Sequence, residues 1–478
     1  MGYVLGQSGW VLGTAISLGT VVLLRDCGSR LVGCCEELQA RGFSAPSYTT
    51  IGREAFGEPG RWVVLVAVVL ELWLGIVWLS IVAWNNCALM LAGYPLHWLL
   101  YFLLLATTAT VWLRTLKQVG WLSLLAAVAL LICVASVAAQ LRLLPRLAPR
   151  DFSVARWDGV GASTSIIAAA FAGHVALPTI YGAMQVRSSA DPVLPPSLQD
   201  PAPNPQDSSR GPGLACSPPP LLLFLLLHLF LHMPPRVTLI LLAPPRPPLA
   251  AQHPGELRRS LTLAYVGLAL VYGAVGLTGY VMYGDASHSS LLTDMGPSDG
   301  HRVSHTTRVL LNVVLAALTL KACCTTPLEL QLLADVLSRE LHAWRGVKLS
   351  DAQSLQLRML LWLPAAALSI GAFEATPRGL ATATGSVAAL TSGLLPVALH
   401  LRLRWAQLST PHRALLMLEG ALALLLALAI ATSLPAVGIL PSLHQTTRAA
   451  ARVGSASAEM AASTTAATLV GSARVGAP

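Results

Sequence analysis

Apolar residues run with little interruption for roughly 17 to 25 positions at a time, the length an α-helix needs to cross a bilayer core. Such stretches lie near 9–31, 62–84, 97–116, 119–140, 160–186, 260–283, 307–332, 357–374, 379–400 and 414–436. The pattern predicts an all-α, polytopic membrane protein of about ten spans. The first stretch is the weakest, because Arg25 and Asp26 interrupt it.

Polar positions punctuate the ends of these stretches, and arginine carries the topological signal. The loop over 32–61 holds Arg41, Arg53 and Arg61, with Arg25 and Arg30 just before it, and is expected to be cytoplasmic. Alternation then puts Arg114 and Lys117, Arg258 and Arg259, Arg339, Arg345 and Lys348, and Arg402, Arg404 and Arg413 on that side. The segment GDASHSSLLTDMGPSDG falls outside. One loop, with Arg142, Arg146, Arg150 and Arg156, falls outside against the rule.

Two regions break the pattern. Residues 191–254 hold 17 of the 32 prolines, which excludes regular helix. Within them, LLLFLLLHLFLHM is 13 residues long and too short to span. A disordered cytoplasmic insert is expected, with a re-entrant or interfacial segment as the alternative. The tail over 437–478, rich in Ala, Ser and Thr, is expected to be disordered. The predicted organisation is one membrane domain in two parts, 1–186 and 256–436, separated by the insert at 187–255 and followed by the tail.

Composition narrows the class further. Of 478 residues, 54% are hydrophobic and 11% charged, against about 25% charged in a soluble domain. Only Lys117, Lys321 and Lys348 are lysines, so arginine supplies nearly all of the basic side of the +9 net charge. Those arginines sit at the ends of apolar runs and are not gathered with aromatics, which argues against a nucleic-acid partner. The partner this composition implies is the lipid bilayer. Cys34/Cys35 and Cys323/Cys324 are adjacent pairs without zinc-site or disulfide spacing. No metal or cofactor is expected. Paired catalytic carboxylates and a nucleophile motif are also missing, so no enzyme activity is expected.

Ionisable residues inside spans are functional candidates, since each costs about 2.5–3.5 kcal/mol at a helix centre. They are Glu71, His174, Lys321, Glu329, Glu374 and Glu419. Glu374 and Glu419 lie near helix ends, where they can snorkel. Glu71, in ELWLGIVWLSIVAWNN, has two readings: a substrate or proton role, or structural hydrogen bonding. AAFAGHVALPTIYGAMQ, residues 169–185, places Gly173, His174 and Pro178 within one span. Glycine and proline together break a helix into halves whose freed backbone groups need a polar cavity. His174 is then either a ligand or proton relay, or a packing histidine. In KACCTTPLEL, Thr325 and Thr326 precede Pro327, which reads as a kink or as a site for a cation.

SGW at 8–10, SYTTIGREAFGEPGRWVV at 47–64, ELWLGIVWLSIVAWNN at 71–86, FAGHVALPTIYGAMQ, LTGYVMYGDASHSSLLTDM and KACCTTPLEL resemble, in this order, segments of the amino acid/auxin permeases. The vacuolar and vesicular branch is the nearest resemblance. The resemblance implies an inverted-repeat transporter fold and a secondary active amino acid transporter coupled to protons or another ion such as sodium. It implies that Gly173 and His174 lie at the break of the sixth family helix and that Thr325 and Thr326 lie in the eighth, all four in the substrate-binding region. Glu71, His174 and Lys321 are the candidates for proton or ion coupling. A vacuolar or other endomembrane location is expected. MGYVLGQSGW resembles only the end of the family's first helix, so that helix is expected to be largely missing. A channel or pore, or an inactive truncated transporter, is the alternative.

Overall fold

The computed structural model describes residues 2–43, 46–90, 108, 116–143, 151–189, 254–286, 305–346, 348–371 and 377–433. The predicted span at 97–116, the insert and the tail lie largely or wholly outside these residues. Among the described residues the regular structure is entirely helical. In chain order the helices are α1 (Gly2–Ser8), α2 (Trp10–Ala40), α3 (Tyr48–Met90), α4 (Leu116–Leu143), α5 (Val160–Phe171) and α6 (Leu177–Ser189). There follow α7 (Pro254–Tyr283), α8 (His305–Arg345), α9 (Asp351–Gly371), α10 (Pro377–Ala388), α11 (Leu395–Arg404) and α12 (Thr410–Ser433).

Eight of the described helical stretches are long and apolar enough to cross a membrane. They match the predicted stretches except at 97–116 and 357–374. The latter forms α9, which starts earlier than expected and carries Asp351, Gln353, Gln356 and Arg358 in its first half. Those polar residues leave it short of the apolar length of the others.

The helices sort into inner and outer. In the spans of α3 and of α10–α11, 67% of the most apolar window is buried, against 17% in α7 and α12. Leu263, Leu270, Leu418 and Leu425 point away from the protein, the surface that lipid requires. α3 packs against α8, α9, α10 and α11, and α2 packs against α5, α7 and α11. Small and hydroxylated residues let α5 and α10 approach closely: Ser165 Oγ donates to the Thr382 carbonyl at 2.9 Å, and Gly385 lies against the Ser165 backbone. Close backbone approach of this kind, with interhelical hydrogen bonds, holds helices together where lipid removes the hydrophobic drive.

The two ends of the bundle are closed differently. At one end the arginines converge on carboxylates. Arg61 pairs with Glu340 at 2.6 Å, Arg258 with Glu36 at 2.5 Å, and Arg404 with Glu37 at 3.5 Å. Most of the loops assigned to one side from arginine placement thus meet at one end. At the other end, residues 151–158 are held by backbone bonds. The Trp10 amide donates to the Ser153 carbonyl at 3.0 Å, and the Arg156 amide to Ser8 at 2.8 Å. Asp285 accepts from the Ser153 amide and hydroxyl and, at 2.7 Å, from the Tyr280 hydroxyl. Burial alone would raise the Asp285 carboxyl, but the hydrogen bonds from Ser153 and Tyr280 and nearby Arg156 hold it below its usual value. The loop at 151–156 and the segment from Gly284 therefore share an end, as alternation predicts despite the arginines in that loop.

Candidate functional site

The interruption expected at Gly173–Pro178 is present. α5 stops at Phe171, Ala172 is extended with φ −60° and ψ 158°, and Gly173 has φ 141° and ψ 3°. That φ lies in a region that glycine alone enters without strain. His174–Ala176 make a single 3-10 turn, in which the Ala176 amide donates to the Gly173 carbonyl at 3.1 Å. α6 then begins at Leu177 with Pro178 in its first turn, where a missing N–H leaves no helical bond unmade.

The freed groups are met by neighbouring helices. The Tyr265 hydroxyl, from α7, donates to the Phe171 carbonyl at 3.1 Å, and its ring stacks on Phe171 with centroids 5.9 Å apart. His174 is 1% exposed. Its Nε2 lies 2.7 Å from the Leu24 carbonyl of α2 and 3.3 Å from the Tyr265 hydroxyl. A carbonyl only accepts, so Nε2 carries the proton and Nδ1 is the basic atom of the neutral ring. Nδ1 is buried and, among the described residues, has no hydrogen-bond partner. Gly28, one turn beyond Leu24, leaves room for the imidazole; a Cβ there would sit 3.0 Å from Nε2.

A second irregularity lies beside the break. Between α10 and α11, residues Ala389–Leu394 form a π-helical segment that packs against the 3-10 turn. Pro396 follows in the first turn of α11 and removes the amide that would reach the Ser392 carbonyl in a regular helix. Tyr48 donates to the Thr391 carbonyl at 2.6 Å. Glu71, 5% exposed on α3, faces Thr391 and Ser392, and its Oε2 has no hydrogen-bond partner.

The other candidates sit on α8. Thr325 and Thr326 donate to the carbonyls of Lys321 and Ala322, four residues back, at 2.8 and 2.9 Å. Both hydroxyls are thus engaged with their own helix next to Pro327. Lys321 lies within electrostatic reach of Glu329. Sequence reasoning brought forward His174, Gly173 and Glu71 but missed Tyr265, Gly28 and the Thr391–Ser392 pair that surround them. The run TSGLLP at 391–396 was the available signal: small polar residues one turn before a proline in an apolar span.

Two cavities flank the break. Toward the end bearing Asp285, a space of about 250 Å³ is lined by Leu5, Ser17, Val21, Phe171, Tyr272 and Gly276. Toward the arginine-rich end, Tyr48, Thr49, Val175, Thr179 and Glu340 enclose about 20 Å³, room for about one water.

A multi-pass helical membrane protein with a discontinuous span in its packed interior has the architecture of a transporter. The particular kind follows from the family comparison, which matches residues 1–194 and 250–439. The chain belongs to the transmembrane amino acid transporter protein family. Comparison with curated proteins returned no match.

Proposed function

We propose that the protein is a secondary active transporter in which an amino acid binds at the break between α5 and α6 and is driven by a proton or ion gradient. One observation carries this reading: the interrupted span holds a buried imidazole whose Nδ1 has no partner among the described residues. Such an atom costs about 1–3 kcal/mol while unsatisfied, a cost that a bound substrate amine or a proton removes. Gly173 and His174 are assigned to the substrate, with Thr325 and Thr326 of α8 as the second contact region. Glu71, His174 and Lys321 are assigned to coupling. The arginine-rich end is assigned to the cytoplasm, and the larger cavity to the opposite side as the route of entry.

The same proposal places the protein in a vacuolar or other endomembrane, within the vacuolar and vesicular branch, supported by the order of its motifs. It treats 1–186 and 256–436 as one transporter domain around an insert, supported by a family match that stops at 194 and resumes at 250. The test is uptake of labelled amino acids by reconstituted vesicles under an imposed pH or sodium gradient. Saturable uptake with counterflow is expected. Flux that rises linearly with concentration and shows no counterflow would make the protein a channel.

A further inference from the structure

Glu71 and Glu329 come from different helices, α3 and α8, which among the described residues pack extensively against each other. Glu329 lies against Gly75, where a Cβ would fall 2.5 Å from its Oε2. Glycine at 75 therefore makes the recess that admits the carboxylate. Glu71 is one turn earlier on α3, so the two acids share one face of that helix and are close enough for their charges to repel. Among the described residues each has a buried Oε2 without a hydrogen-bond partner. Ser392, fully buried, faces Glu71 from the π-helical segment. Among the described residues no arginine or lysine is ion-paired with either acid. The titratable groups facing the pair are Lys321, on the same helix as Glu329, and Tyr48 and Tyr265, which face Glu71.

We infer that Glu71 and Glu329 form a single proton-binding site, in which the two neighbouring carboxyls hold one proton between them. Two carboxylates cannot both stay ionised side by side in a packed interior, because desolvation and mutual repulsion act together. One proton on either carboxyl abolishes the repulsion and leaves a single charge to be buried. Release of that proton leaves a repelling pair, so occupancy favours the packing of α3 on α8 and release loosens it. This inference rests on the coupled-transport reading above and names its ion and a second acid.

The experiment compares wild type with E71Q, E329Q and the double variant in vesicles, using a mixture of labelled proteinogenic amino acids. Accumulation under an imposed pH gradient is measured beside counterflow without a gradient. Each single variant is expected to lose about tenfold or more of its accumulation while keeping counterflow, with the double variant no worse than either. Accumulation at the wild-type level in E329Q, with loss in E71Q alone, would overturn the pair and leave a one-acid coupling standing. Wild-type accumulation that follows sodium and ignores pH would overturn the proton site while leaving coupled transport intact. Should the variants lose counterflow as well, infrared difference spectra decide. A protonated-carboxyl C=O band in wild type, missing from E329Q, supports the shared proton, and its absence from wild type overturns it.

Discussion

The span α5–α6 and the span α10–α11 both abandon α-helical hydrogen bonding near their middles, and they do so by different means. In the first, Ala172 and Gly173 leave helical dihedrals altogether, so the chain separates into two helices with a gap. In the second, the chain stays helical from Ala388 to Leu395, with α-helical dihedrals at Ala388, Leu394 and Leu395, and the register widens by one residue. The first arrangement frees backbone groups and an imidazole atom that neighbours satisfy only in part. The second frees few groups, and it turns Thr391 and Ser392 toward Glu71. A break exposes chemistry, whereas a wide turn aims side chains at it. The two stand against each other in the fold, so their contributions are separable by mutation.

The largest effect is expected from the atom the break leaves open. His174→Ala removes Nδ1 and with it the proposed contact to the substrate or proton. A hydrogen bond to a charged group contributes about 1.5–3 kcal/mol, so transport is expected to fall about tenfold to a hundredfold while abundance in the membrane changes little. Parallel loss of transport and abundance would reduce His174 to a packing residue that bonds Leu24.

Next come the glycines, which set the two spans directly against each other. Gly173→Ala meets no atom within 4 Å, yet it forces an alanine to φ 141°. Its cost is conformational, about 1–3 kcal/mol, and it favours closure of the break. Gly393 lies in the wide turn without positive φ, and a Cβ there meets only Ala423 Cβ at 3.6 Å, an ordinary contact. Gly393→Ala is expected to cost less than about 0.5 kcal/mol. Transport and thermal stability of the pair give the comparison. Equal tolerance at both positions would mean that the break does not depend on its glycine.

The contrast also explains what the sequence made legible. The break in α5–α6 was readable because its causes are local: Gly173 permits the dihedrals and Pro178 fits only the start of a new helix. The grouping of the ends was readable because arginines at span ends seek carboxylates and water together. The wide turn was not, because Thr391, Ser392 and Gly393 are each compatible with a regular helix. Tyr265, Gly28 and Gly75 were equally silent. Each acts on a residue far away in the chain, Phe171, His174 and Glu329 respectively, and only packing brings them together. The start of α9 was silent for a related reason. The apolar half of that helix was visible, but α9 starts at Asp351 and continues through polar positions.

A smaller effect than at His174 or Gly173 is expected at Pro396, and it isolates what the wide turn contributes. Proline has no amide hydrogen, so the Ser392 carbonyl has no donor four residues on, and a π-helical turn absorbs the mismatch without a gap. Pro396→Ala restores the donor and removes one reason for the turn, while its buried setting changes by only a few carbon atoms. The packing of the turn against the break and the Tyr48 bond to Thr391 persist, so a shift of about 1 kcal/mol, a few-fold in transport, is expected. The direction carries the information. If the turn orients Thr391 and Ser392 toward Glu71, the alanine variant keeps its stability but responds less steeply to an imposed pH gradient. A variant that gains stability and keeps the full pH response would show the wide turn to be only an accommodation of proline, and would leave the break as the functional irregularity.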